Sequence, residues 1–145
     1  FMYCFKTDNT LPDDARLIRE MVFVKEQGFE DEFDDQDAAA THLVLYGDDG
    51  TPMGTGRFFK SGENVYTVGR IAVLKEYRKK HYGGIILQEA ERQIRALGAE
   101  EIRLAAQVQA KGFYEKAGYL ADGEEFLEEH CPHIRMCKKI EKTRS

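Results

Sequence analysis

Residues 73–84 read Val73-Leu74-Lys75-Glu76-Tyr77-Arg78-Lys79-Lys80-His81-Tyr82-Gly83-Gly84. The stretch joins a run of β-formers to a run with helical periodicity, so it forms the mouth of a helix. The first turn of a helix offers backbone N–H groups without partners and the positive end of its dipole, which together attract an anion. Gly83 and Gly84 let such an anion approach the backbone. Lys75, Arg78, Lys79 and Lys80 add longer-range attraction. The same features also describe a solvated basic turn before a glycine-started helix. A Walker loop is excluded, because Gly-Lys-Ser/Thr is absent here.

The flanks of this loop set the fold class. Before it, residues 3–6 read as an opening strand. Residues 11–24 carry Leu11, Ala15, Ile18 and Val22 at helical spacing, with Asp13 and Asp14 near the start, where carboxylates suit the helix dipole. Residues 41–46, 53–60 and 65–73 are β-rich and separated by the turn signals Asp48-Asp49-Gly50 and Ser61-Gly62-Glu63-Asn64. After it, residues 83–97 place Ile86, Ala90, Ile94 and Leu97 on one stripe, and Gly98 suits the cap. Residues 101–106 read as a buried strand, 110–117 as a short helix stopped by Gly118, and 119–121 and 134–140 as late strands. The order is βα, an antiparallel meander, then βαβαβ. It predicts one mixed α/β domain with helices on both faces of a single sheet.

A length of 145 residues fits one compact domain, and no linker or repeat divides it. No apolar run approaches the ~18 residues of a membrane span, and the start has no secretory pattern. Phe1 before Met2 reads as a remnant or a cut end. Cys4, Cys131 and Cys137 are scattered and odd in number, which favours a reducing cytoplasm over a disulfide framework. A net charge of −5 argues against a general nucleic-acid binder. That charge is uneven: residues 1–37 carry a net −7 and the rest a net +2.

A second block, Gln107-Val108-Gln109-Ala110-Lys111-Gly112-Phe113-Tyr114-Glu115-Lys116-Ala117-Gly118-Tyr119, lies about thirty residues on. By itself it is an amphipathic helix with a Phe-Tyr pair and a glycine stop. Taken together, the two blocks resemble the GNAT N-acetyltransferases. Arg78-x-x-His81-x-Gly83 is similar to that family's coenzyme signature, [Q/R]-x-x-G-x-[G/A], with His81 where the first glycine usually stands. A histidine can enter positive φ, at a cost. The second block resembles N-x-x-A-x-x-F-Y-x-x-x-G-[F/Y], with Gln107 in place of the usual Asn.

The resemblance implies a single domain over residues 2–141, with 142–145 a C-terminal tail. It implies a mixed six- or seven-stranded sheet in which two adjacent strands splay apart to take an extended ligand. The implied cosubstrate is acetyl-coenzyme A, with no metal. Its binding falls to Ile71, Ala72, Val73, Arg78, Lys79, Lys80, His81, Tyr82, Gly83, Gly84, Gln107 and Phe113. Tyr114 becomes the catalytic hydroxyl, placed to hydrogen-bond the sulfur as charge develops there.

The rest of the chain adds an acceptor side. Residues 22–28, 34–37 and 40–44, and the ending Glu129-His130-Cys131-Pro132-His133-Ile134-x-Met136, resemble the ElaA-like and YjcF-like branch. An amine must lose a proton before it attacks. Glu26 and His133 are the candidate bases, each with a structural alternative. His42 reads as structural. His130, Cys131 and His133 have no distant second pair, so zinc is not expected. Six carboxylates fall within residues 30–37. They are either a solvated run or a field that steers a cationic acceptor. The expected activity is N-acyl transfer to a small-molecule or peptide amine. The alternatives are a non-catalytic acyl-coenzyme A-binding module and a thiol enzyme using Cys131 and His133. Late strands in small domains can pair between subunits, which leaves a homodimer open.

Overall fold

The computed structural model describes residues 2–141; Phe1 and the expected tail at 142–145 lie outside the described residues. Eight strands form one mixed sheet: β1 (Tyr3–Asp8), β2 (Thr41–Gly47), β3 (Pro52–Gly62), β4 (Val65–Val73), β5 (Glu101–Gln107), β6 (Leu120–Ala121), β7 (Phe126–Glu128) and β8 (Cys131–Lys139). The order is β1-β2-β3-β4-β5-β8-β6, and β7 also pairs with β8. Among the described strands only β4 and β5 run parallel. The sheet has one strand more than the larger expected count, because β7 pairs β8 through only three residues, too few for a period-2 pattern. Among the described residues, no helix is long and apolar enough to cross a membrane.

Side chains alternate across β2 and separate two layers. Leu43 and Leu45 meet α3 (Tyr82–Ala96) through Leu87, Ala90, Ile94 and Ile86. Val44 and Tyr46 instead meet Ala15, Ile18 and Val22. Ala15 and Ile18 belong to α1 (Asp13–Arg19), and Val22 to the π-helical segment Glu20–Glu26 that continues it. Helices therefore cover both faces, which is why β2 is buried continuously from His42 to Gly47. Two shorter helices, α2 (Gln36–Ala39) and α4 (Lys111–Lys116), sit in the connections.

Two features of β3 and β4 position the site. A Cβ on Gly54 would stand 2.7 Å from Ile86 Cδ1 and 3.0 Å from the Ala72 carbonyl oxygen, so glycine is what lets α3 ride this close to the sheet. Further along, the register passes from Thr55–Ala72 to Arg57–Gly69, leaving Arg70 and Ile71 opposite Gly56 alone. This is a β-bulge, with Arg70 at φ +52°, and a bulge bends its strand and raises the local twist. Parallel pairing of β4 with β5 is confined to Val65–Thr67 against Glu101–Arg103. Beyond Thr67 the two strands part.

Candidate active site

The parting of β4 and β5 opens a cavity of about 740 Å³, lined along its walls by Val68–Val73 and by Leu104–Gln107. From Val68 onward the β5 side of β4 has no strand partner, so its backbone can accept an extended ligand by strand addition. Ile71, Ala72 and Val73 all line this cavity.

One mouth of the cavity is the loop before α3. Arg78, Lys79, His81, Tyr82, Gly83 and Gly84 surround an adjoining pocket of about 220 Å³, walled by Phe113. Lys79 and His81 take φ +66° and +64°. Two left-handed residues in three turn the chain sharply into the helix, and His81 bears the strain a glycine would avoid. No side chain caps α3; the first-turn N–H groups of a helix have no partner within it. The Tyr82 side chain packs into the core with Leu45, Met53 and Ile86, so its contribution here is local shape. Lys80 is exposed and lines neither cavity. Arg78 spends its side chain within the protein: Nε donates to the Val73 carbonyl at 2.9 Å, and both Nη atoms donate to Glu26 at 2.7 Å.

That fork decides where Glu26 stands. The Arg78 guanidinium holds its carboxyl below the usual range, and Glu26 is exposed and lines neither cavity. A carboxylate so paired is a weak base. It ties the end of the π-helical segment to the loop.

Tyr114 lines the cavity. The chain just after its helix, α4, is anchored to α3: the buried Tyr119 hydroxyl donates to Glu91 at 2.7 Å. The Tyr114 ring packs edge-on against Phe113 and Tyr119. Burial pushes its phenol up to about 12. Its hydroxyl makes no hydrogen bond to another described residue, and Tyr114 lines the cavity. Gln107, at the end of β5, reaches the π-helical segment's end instead, donating to Gln27 Oε1 at 2.7 Å while accepting from Gln109 at 2.9 Å.

The other mouth is built from distant segments. His133 on β8 pairs in register with Gln107 on β5, which brings it to the open end of the gap. It is buried, and it lines the cavity. Its Nδ1 lies 2.9 Å from the Cys131 carbonyl. A carbonyl only accepts, so Nδ1 carries a proton, and in the neutral ring the lone pair is on Nε2. Burial pushes the Cys131 thiol up, and His133 touches its carbonyl rather than its sulfur, which leaves a thiol nucleophile without activation.

The acidic run resolves into two halves. Glu32, Asp34 and Asp37 are bound to three arginines that the sequence did not single out. Arg19, almost fully buried, donates to Glu32 at 2.9 Å and to Asp37 at 2.7 Å. Arg57 donates to Asp34 at 2.6 Å and to Asp37 at 2.8 Å. Arg70, the bulge residue, meets Glu32 at 2.8 Å and Asp34 at 3.3 Å. Hydrogen bonds from Arg57 and Arg19 hold Asp34 and Asp37 below the usual carboxylate range, whereas burial pushes Glu32 up. The run is thus neither simply solvated nor wholly free to steer a ligand. Half of it clamps residues 32–37 over the cavity. Glu129 supplies the opposite clamp, accepting from the backbone N–H of Glu30 and Asp31 at 2.8 and 3.1 Å.

The family model of the acetyltransferase (GNAT) domain matches residues 14–140. Bacillus subtilis (strain 168) YjcF, an uncharacterized N-acetyltransferase, is 41% identical over 128 residues, which span 86% of this chain and 90% of YjcF. Escherichia coli ElaA superposes with a TM-score of 0.84 at 21% identity, over 95% of this chain and 100% of that one. A Bacillus subtilis acetyltransferase solved in complex with CoA gives a TM-score of 0.77 at 15% identity, over 96% of this chain and 99% of that one. The two structural likenesses are likenesses of fold.

Proposed function

Because this chain belongs to the GNAT acetyltransferase family, we propose that it moves an acetyl group from acetyl-coenzyme A to a primary amine by direct attack. The observation that carries this reading is one continuous path. The helix mouth at 78–84, the open β4 edge from Val68 to Val73 and the Tyr114 ring border adjoining cavities. The residues suit the cosubstrate: an anion site for a diphosphate, a bare strand edge for an amide-bearing arm, and a hydroxyl beyond it. That a Bacillus subtilis acetyltransferase of this fold was solved in complex with CoA supports coenzyme A as the carrier.

His133 serves as the base. It takes the proton from the incoming ammonium at Nε2, and the freed nitrogen attacks the thioester carbonyl. The new C–N bond forms, the C–S bond breaks, the electron pair leaves on sulfur, and the nitrogen's second proton passes to that sulfur to give the free coenzyme thiol. Tyr114 hydrogen-bonds that sulfur. With its phenol near 12, full proton transfer to a thiolate of ordinary pKa ~8.5 is uphill by roughly 3.5 pKa units. The hydroxyl therefore works by a hydrogen bond that strengthens as charge develops, and it remains protonated at any ordinary working pH. Three free cysteines support a reducing, cytoplasmic setting.

Thiol release from acetyl-coenzyme A across a panel of amines tests the reading. Release that needs both an amine and Tyr114 supports it. Tight coenzyme binding with no release for any amine turns the assignment to the non-catalytic binding module.

A further inference from the structure

The β7–β8 hairpin carries a second group to His133. Phe126 pairs with His133 and Glu128 with Cys131 across the turn at Glu129 and His130. That register sets Glu128 Oε2 at 3.6 Å from His133 Nε2. The distance is too long for a hydrogen bond, as expected of a carboxylate facing a lone pair. Once Nε2 takes a proton the same pair becomes an ion pair able to close into a charge-assisted bond. Glu128 has no other hydrogen-bond or ion-pair partner among the described residues, and it lines the same cavity.

The groups around His133 leave this role to Glu128. Cys131 presents its carbonyl to Nδ1, and burial keeps its thiol protonated. Phe29 and Phe126 face the imidazole at 6.3 and 5.9 Å and bring no charge. His130 stacks on Phe29 at 5.0 Å. Glu129 is spent on the Glu30 and Asp31 backbone. Arg135, next along the same face of β8, lies over the Phe126 ring at 4.4 Å. Gln107 opposite is neutral and bound to Gln27. Asp31, Asp34 and Tyr114 share the cavity wall.

We propose that Glu128 is a positioning residue for the transfer. It acts through His133: its carboxylate stabilises the imidazolium formed when the amine gives up its proton. The inference rests on His133 being the base. In forming the imidazolium one proton moves from the acceptor amine to His133, and the nitrogen's second proton leaves afterwards to the departing sulfur.

The test is the pH profile of kcat/KM for one acceptor amine, in the wild type, Glu128→Gln, Glu128→Asp and His133→Asn. Glu128→Gln removes a charge near 4 Å at a half-exposed position, so the acidic limb should move to lower pH by about half a unit. The plateau rate should fall about tenfold, with KM for acetyl-coenzyme A unchanged. Glu128→Asp should recover part of the limb position. A ¹⁵N spectrum of the histidine side chains gives a readout free of activity: His133 should appear as the Nδ1–H tautomer in both wild type and Glu128→Gln. If His133→Asn abolishes turnover while Glu128→Gln leaves the limb in place, the role of Glu128 is overturned and the base survives. If His133→Asn retains full turnover, the base assignment itself falls.

Discussion

The two mouths of the cavity are made by different physics. The mouth at residues 78–84 is backbone: a helix start, two left-handed residues, two glycines and an unpaired strand edge. The mouth at residues 29–37 and 126–133 is side chain, with three arginines and three carboxylates locked together from α1, β3, β4 and the acidic connection. Backbone sites demand local sequence and so recur as motifs. Side-chain clamps demand only complementary charge at the right place, which many arrangements of a chain supply. A family can thus keep the backbone mouth while the side-chain mouth diverges.

The largest expected effect tests whether the two mouths are separable. Arg19→Met leaves Glu32 and Asp37 with fewer partners in a buried setting, and breaking such a pair is costly. A loss of about 3 kcal/mol at neutral pH is expected by denaturant unfolding. Asp34 and Asp37 have folded pKa values below their unfolded ones. They therefore contribute stability above about pH 4 that is lost as pH falls through the folded values, whereas the raised Glu32 opposes them. In Arg19→Met the gain in stability from about pH 2 to pH 5 should shrink. Coenzyme affinity of the folded fraction should stay within about twofold of wild type. A parallel drop in coenzyme affinity would show that the mouths are not independent.

Tyr114 stands at the junction. Tyr114→Phe removes a hydrogen bond realised as charge reaches sulfur, and losses of that kind run to about 10²-fold in kcat, or about 2.7 kcal/mol. Coenzyme affinity should hardly change, because among the described residues Tyr114 makes ring contacts and its hydroxyl no hydrogen bond. The wild type should show no loss of rate from tyrosine ionisation below about pH 11, given a phenol near 12. A basic limb near pH 10 that vanishes in Tyr114→Phe would contradict that.

Gly54→Ala strikes the coenzyme mouth through its support. The added methyl would meet Ile86 Cδ1 at 2.7 Å and the Ala72 carbonyl at 3.0 Å. Ile86 can yield, but the backbone oxygen cannot move cheaply. A cost of about 1–2 kcal/mol is expected, with coenzyme affinity falling more than amine KM because α3 carries the anion site. Equal effects on both substrates would place the damage in the sheet as a whole.

This contrast also explains what the amino-acid sequence made legible. β4 at residues 65–73, the stripe on α3 and both motif blocks were readable because each is a local pattern with one physical reason. The splayed strands followed from family resemblance, and their pairing now ends at Thr67. Nothing in the periodicity of residues 11–24 distinguishes an α-helix from one that passes into π-helical turns at Glu20, since both bury Ala15, Ile18 and Val22. Arg19, Arg57 and Arg70 were illegible as a cluster: they lie on three elements, and an arginine on a helix or strand reads as surface until its partners are known. Glu26 shows the converse. A carboxylate at a helix end looks available, and only the fold reveals that Arg78, fifty-two residues away, has taken it.

The smallest effect concerns the one departure from the coenzyme signature. His81 holds φ +64°, ψ +17°, a left-handed conformation that costs a residue with a Cβ about 1–2 kcal/mol. Glycine removes that cost, while its extra freedom in the unfolded chain returns about 0.5–1 kcal/mol of it. His81→Gly should therefore raise stability by about 0.5 kcal/mol, measured as a small increase in the denaturation midpoint at constant m-value. Coenzyme affinity should hold or rise slightly, because the loop's N–H geometry is kept and only the imidazole is lost. If affinity instead falls about tenfold with stability raised, the imidazole itself contacts the coenzyme. The mouth read here as purely backbone would then owe part of its grip to a side chain, and the division between the two ends of the cavity would need redrawing at residue 81.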